Sequence, residues 1–246
     1  KLGDSNFCVT LSFMGGQSGL RDRKKMQTRQ RIADVAARLF AAHGYDGVSM
    51  AAVARASDVS EQTVYNYFTA KQDLVLDLAD EIRGWYDQAI RTCGAGTPPA
   101  RALEPILTAD IDRYRAANLD EARGEFPAQS VESPALRRFT LEERERQVVV
   151  IATAMTDTEP RLPAIVARSH AAALVAVIHA IHDHIGTGVL HRADQDALAD
   201  ELEATAAVAL DSLDRTYRAL LATDTSDPKS AKRAEQIPGA EHRPVG

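Results

Sequence analysis

A chain of 246 residues, 45% hydrophobic and 5% aromatic, holds enough apolar material for a globular protein of one or two domains. Its two cysteines, Cys8 and Cys93, stand in unlike contexts with no partners at metal-ligand spacing, which argues against a disulfide framework or a zinc site. The net charge of −6 speaks against a nucleic-acid partner until it is divided: Arg21 to Lys71 carries nine Lys or Arg against five Asp or Glu, so the acidic excess lies beyond Lys71.

In chain order, Leu2 to Leu20 lacks the basic start and continuous apolar core of a signal peptide. Nor does any run of 18 consecutive apolar residues offer a bilayer span, so a cytoplasmic protein without a membrane partner is expected. Residues 1–23 read as a disordered extension. From Thr28, Ile32, Val35, Ala36, Leu39 and Phe40 recur at helical spacing, and Gly44 ends the run. Ser49 caps a short helix from Met50 to Ala56, whose alanines permit close backbone packing. Ser57-Asp58-Val59 forms a turn, and Ser60 caps a third helix from Glu61 to Phe68. Thr69 and Gln72 have capping-box spacing and predict a fourth helix running through Trp85 toward Ile90.

Thr92 to Pro99 breaks the pattern. Helices are then predicted over Ala100 to Asn118, near Leu119 to Gln129, and over Pro134 to Met155, Pro163 to Ile185 and Asp194 to Leu221. No period-two pattern survives, so the fold class is all-α. Residues 223–246, rich in Pro, Lys, Ser and Asp, read as a disordered tail.

On the third helix, Val64 and Phe68 share an inward stripe, leaving Gln62, Thr63 and Asn66 on the outward arc. A planar amide pairs a donor with an acceptor, matching adenine N6 and N7 in the major groove, and a Thr methyl can meet a thymine methyl. These three are the base-reading candidates. Arg29, Ser49, Ser60, Tyr65, Tyr67 and Lys71 supply hydroxyls and cations suited to phosphates on either side.

The run Arg31-Ile32-Ala33, Leu39-Phe40, His43-Gly44-Tyr45, Val53-Ala54 and Val59 through Phe68, followed by Lys71 and Leu74, resembles the TetR family. Ser57 stands where that family often has Ala or Gly, and Asp58 where it usually has Gly; Asp tolerates left-handed backbone, so the turn is expected to form. The resemblance implies a helix-turn-helix DNA-binding domain over residues 24–70, its motif at about 49–68, and a helical effector-binding and dimerisation domain over residues 71–222. It further implies a transcriptional regulator, most simply a repressor that leaves a roughly palindromic operator when a small molecule binds. The alternative is a helical ligand-binding or enzymatic protein with a vestigial head.

In the second domain, the resemblance assigns Leu174, Ile178, Ile181, Leu202, Leu213 and Tyr217, from the apolar stripes of the last two helices, to a homodimer bundle. Trp85, Tyr86, Tyr114, Phe126, Phe139 and Met155 are candidates to line an apolar effector pocket, with ordinary core packing as the competing reading. His179, His182, Asp183 and His184, with His170, carry metal-ligating groups, but helical spacing turns His184 away from the others and no metal is expected. No phosphate-binding glycine loop, nucleophile elbow or paired metal carboxylates appears, so neither catalysis nor a cofactor is expected.

Overall fold

The computed structural model describes residues 20–223, which are helical with no strand among them. The expected leader-free start, Cys8 and the tail beyond residue 223 lie outside the described residues. Three helices form the head: α1 (Leu20–Gly47), α2 (Met50–Ala56) and α3 (Glu61–Tyr67). Residues Ile32, Ala36 and Phe40 of α1 close with Val53 and Val64 over a core sealed by Phe68. The helix α1 begins at Leu20, eight residues before the Thr28 expected from hydrophobic periodicity, because its first turns are exposed and carry no apolar stripe. Gly44 interrupts it at φ 68°, a backbone that an L side chain rarely adopts.

Beyond the head, the expected continuous helix from Thr69 to Ile90 is broken. Asp73, rather than Gln72, answers Thr69: its carboxylate accepts from the Thr69 hydroxyl at 2.7 Å and the Ala70 N–H at 2.9 Å. That cap holds a single 3₁₀ turn (Lys71–Leu74), after which α4 (Ala79–Cys93) starts afresh. The body continues with α5 (Pro99–Arg115), α6 (Leu119–Ala122), α7 (Phe126–Glu132), α8 (Pro134–Thr158), α9 (Ala164–His191) and α10 (Gln195–Thr223).

At the centre lies α9, packed against α5, α7, α8 and α10. It is the one helix among the described residues long and apolar enough to cross a bilayer by composition, with mean hydropathy 1.7. Here Ala167, Leu174 and Ile178 are instead buried in the body's own core. Gly186 lets α9 approach α7 so closely that a Cβ there would overlap the Pro127 carbonyl.

Candidate nucleic-acid interface

The recognition face is built by local capping. The Ser49 hydroxyl accepts from Ala52 N–H at 3.1 Å and starts α2. At its end, Asp58 takes φ 53° and Val59 N–H donates back to the Ala54 carbonyl at 3.1 Å, so the family's usual glycine is replaced without loss of the turn. The Ser60 hydroxyl then accepts from Thr63 N–H at 3.1 Å and opens α3.

Val64 and Phe68 are buried beneath α3, which leaves Gln62 and Asn66 exposed on the opposite arc. The Gln62 Nε2 donates to Asn66 Oδ1 at 3.2 Å. Each amide thus orients the other, leaving the Gln62 carbonyl oxygen as an acceptor and the Asn66 NH2 group as a donor. Thr63 is half-buried and its hydroxyl is held by Ser60 at 2.8 Å, so the methyl is what it can offer a base. Tyr65 is 44% exposed on the same helix.

Two of the expected phosphate-binding cations are engaged inside the protein. Arg29 pairs with the Asp77 carboxylate, donates to the Asp77 carbonyl at 3.0 Å and lies 4.9 Å over the Phe68 ring. Burial pushes Asp77 up to about 6 despite the opposing pull of Arg29. Lys71 sits with its Nζ 4.1 Å over the Tyr45 ring, and burial lowers its pKa against the attraction of Asp46. Tyr67 is half-buried in a cleft of about 370 Å³ between head and body, shared with Arg29, Asp77, Arg83, Phe139 and Glu143.

The aromatic set expected to line an effector pocket is dispersed. Tyr86, Tyr114 and Met155 are core residues of the body. Phe126 stands edge-on to His179 and His182, with ring centroids at 6.3 and 6.1 Å. Trp85 is half-buried on α4, and Phe139 alone of the six borders the head–body cleft. A smaller cleft of about 200 Å³ between α5 and α10, floored by Leu107, Ile111 and Leu210, touches none of them.

The dimer stripe likewise turns inward. Leu174, Ile178, Ile181, Leu202 and Tyr217 are buried within their own chain, and Leu213 packs against that core. The face of α9 and α10 left outward carries Ile165 and Val208, 81% and 71% exposed, among small residues such as Ala172, Ala176 and Ala204.

The histidines separate to different partners. His179 Nε2–H donates to Gln147 at 2.8 Å, His182 Nε2–H to the Asp110 carboxylate at 2.9 Å, and His184 bonds the Ala180 carbonyl at 2.7 Å. His170 packs against the Tyr217 ring at a 45° tilt, while Asp183 receives both Arg137 and Arg144. Among the described residues no group of three or more His, Cys, Asp or Glu is arranged to hold a metal ion. Burial, then repulsion from the neighbouring His182 and Arg144, lowers His179 to about 3, so its imidazole is neutral at ordinary pH.

Sequence reasoning missed the second connection from body to head. Gly124 rests on the Ala37 carbonyl with no room for a Cβ, Gln129 donates to Phe40 O at 3.4 Å, and Ser133 donates to Asp46 at 3.1 Å. Leu136 of α8 completes the head core itself. Neighbours more than 85 residues apart leave no local signal, although a lone glycine between short helices is where a close approach is expected.

Residues 32–78 match the model described as bacterial regulatory proteins, tetR family. The repressor KstR of Rhodococcus jostii (strain RHA1) is 31% identical over 153 residues, covering 59% of this chain and 68% of KstR. The regulator TcmR of Streptomyces glaucescens is 29% identical over 106 residues, 43% of this chain; the match spans about half (47%) of TcmR's length. Of solved structures, NalD, the secondary repressor of the MexAB-OprM multidrug efflux pump in Pseudomonas aeruginosa, is 18% identical with TM-score 0.49, covering 76% of this chain and 97% of that one.

Proposed function

The chain belongs to the TetR family of bacterial regulatory proteins, and from that premise we propose that it is a homodimeric, sequence-specific DNA-binding repressor released from its operator by a small-molecule effector. The observation that carries this reading is the Gln62–Asn66 pair, fixed and exposed on a capped helix whose other side is sealed into the head core. A bound pair of such heads reads successive major grooves when the two α3 helices stand about 34 to 36 Å apart, which calls for a roughly palindromic operator. The outward face of α9 and α10 is the surface available to the second copy, and Ile165 and Val208 are its apolar anchors. Such a protein works where the DNA is, in the cytoplasm.

Effector control has two routes into the head. One is the Asp73-capped turn and α4; the other is the seat of α6 and α7 on α1. An effector that binds the body more tightly when either seat is displaced shifts the spacing of the two heads and releases the operator. The experiment is selection of bound sequences from a randomised duplex pool, with sedimentation of the same preparation. A palindromic consensus that changes in Gln62→Ala, bound by a dimer that Val208→Arg dissociates, is the expected result. A protein that enriches no sequence overturns the reading.

A further inference from the structure

The inner face of α8 is polar where a core-facing helix is ordinarily apolar: Thr140, Glu143 and Gln147 are buried there at three- and four-residue spacing. Gln147 reaches across to α9, where its Oε1 accepts the Nε2–H of His179, a residue only 2% exposed. Almost one turn further along α9, His182 gives its Nε2–H to Asp110 of α5 at 2.9 Å. One nitrogen of each imidazole is thereby engaged, and the Nδ1 of each is buried with no hydrogen-bond partner among the described residues. In His179, which is neutral, that Nδ1 carries a lone pair: an acceptor shut away from solvent. Such acceptors are rare in folded proteins, because leaving one unmade is costly.

The ring of Phe126 completes this cluster. Its centroid lies 6.3 Å from His179 and 6.1 Å from His182, the two imidazoles are 5.8 Å apart, and all three pairs are edge to face. Phe126 opens α7 and is half-buried, so its ring has a path to solvent. The register is fixed by close backbone contact: His179, His182 and Gly186 share one stripe of α9, and Gly186 is pressed against the Pro127 carbonyl. The same short segment sits on the head, with Gly124 against the Ala37 carbonyl and Gln129 bonded to the Phe40 carbonyl. Residues 124–129 thus touch both the histidines of the body and α1 of the head, and Phe126 is within three residues of both seats on α1.

We propose that the His179–His182 pair, covered by the Phe126 ring, is the effector site of the body, and that it takes a hydroxyaromatic ligand whose ring displaces Phe126 and whose hydroxyl donates to His179 Nδ1. The inference rests on the ligand-responsive part of the proposed function. The ligand's ring replaces the edge-to-face contacts that Phe126 gives up, and its hydroxyl satisfies the acceptor that a phenylalanine cannot. A purely apolar ligand does only the first. An aromatic carboxylate sets acceptor against acceptor at His179 and charge against the Asp110 carboxylate. Because Phe126 belongs to the segment that seats α1, turning it out works against the Gly124 and Gln129 contacts and so reaches the head.

The test uses the full chain free of DNA and two probes, 2-naphthol, which donates a hydrogen bond, and 2-methoxynaphthalene, which only accepts, each titrated calorimetrically. The wild type is expected to bind 2-naphthol about tenfold more tightly than the methyl ether, the worth of one hydrogen bond to a buried acceptor. Phe126→Ala removes the covering ring and should tighten 2-naphthol binding by about tenfold. His179→Gln keeps a donor for Gln147 without an acceptor at the Nδ1 position and should bind the two probes alike, with helicity unchanged in both variants. Amide hydrogen exchange at residues 37–41 of α1 should quicken when 2-naphthol binds the wild type. Equal affinity for the two probes, or binding of neither, overturns the site and leaves the DNA-binding reading standing. Binding of 2-naphthol that both variants leave unchanged also overturns it, since the probe then sits elsewhere. Binding that follows both variants without quickened exchange in α1 overturns the effector role. Binding that follows both variants, in a protein that enriches no DNA sequence, keeps the ligand site and removes the repressor reading.

Discussion

The opening turns of the head's first helix and the body treat their cations in opposite ways. In the body, Arg83 meets the buried Glu143, Arg137 and Arg144 share Asp183, and Arg115 alone reaches Asp196, Asp200 and Glu203 of α10. In the first helix of the head, Arg23, Lys24 and Lys25 face solvent unpaired. The local balance of charge, positive from Arg21 to Lys71 and acidic beyond, does not by itself show which cations are paired. What distinguishes them is whether a carboxylate is placed to accept the cation. Unpaired cations remain available to another molecule; paired ones join helices to one another.

The sharpest way to break the comparison is to ask whether head and body are separate units at all. Leu136 belongs to α8 yet is fully buried in the head core beside Phe40 and Phe68. Leu136→Ala should therefore cost about 2 to 5 kcal/mol of stability, as buried Leu-to-Ala changes do. One cooperative transition shifted as a whole, seen by circular dichroism and by Trp85 fluorescence on the body, is the expected outcome. A transition in which Trp85 is unaffected would show the head melting alone.

Next in size is the specificity of α3. Gln62→Ala removes both the exposed amide acceptor proposed to read a base and the group that orients Asn66. Discrimination at the contacted base pair should fall by about 1 to 3 kcal/mol, with the salt dependence of binding unchanged. Competition binding across single-base variants of the selected duplex measures this directly.

The two regions should also answer pH with opposite signs. His179 in the body is lowered from 6.5 to about 3, so between those values the unfolded chain binds the proton and the folded one does not. Its contribution is complete above pH 6.5 and declines as pH falls, by about 1.4 kcal/mol per unit. Asp77, at the head–body junction, is raised from 3.8 to about 6, so its contribution is complete below 3.8 and is lost as pH rises toward 6. Denaturant melts from pH 7 to 4 should show a flattened acid loss in His179→Gln and a steepened one in Asp77→Asn. The same slope in both variants and the wild type would sink the assignment.

What the sequence disclosed was what neighbours decide. Ser49 and Ser60 cap their helices within three residues, Asp58 adopts the left-handed turn on its own account, and the inward Val64–Phe68 spacing fixes which arc of α3 faces out. What it hid depends on distant partners. Arg29 looks like a free cation until Asp77, 48 residues on, accepts it. The stripe through Leu174 and Ile178 is apolar for packing against α5, α7, α8 and α10, and periodicity cannot say whether the partner helix is in the same chain. The first turns of α1 escaped for the converse reason: an exposed helix needs no apolar stripe.

The smallest effect is expected where pairing is most exposed. Arg168 of α9 pairs with Glu145 of α8, and both side chains are more than half exposed. In water such a pair gains little Coulomb energy and pays side-chain entropy, so Arg168→Ala should change stability by less than about 1 kcal/mol. For a domain of this size that corresponds to roughly 2–4 °C in Tm or less. Asp183→Asn is the informative partner measurement, because its carboxylate is only 26% exposed and receives two arginines. If Arg168→Ala proves as costly as Asp183→Asn, pairing as such stabilises the body. If it is near neutral while Asp183→Asn is not, burial decides which ion pairs hold the helices together.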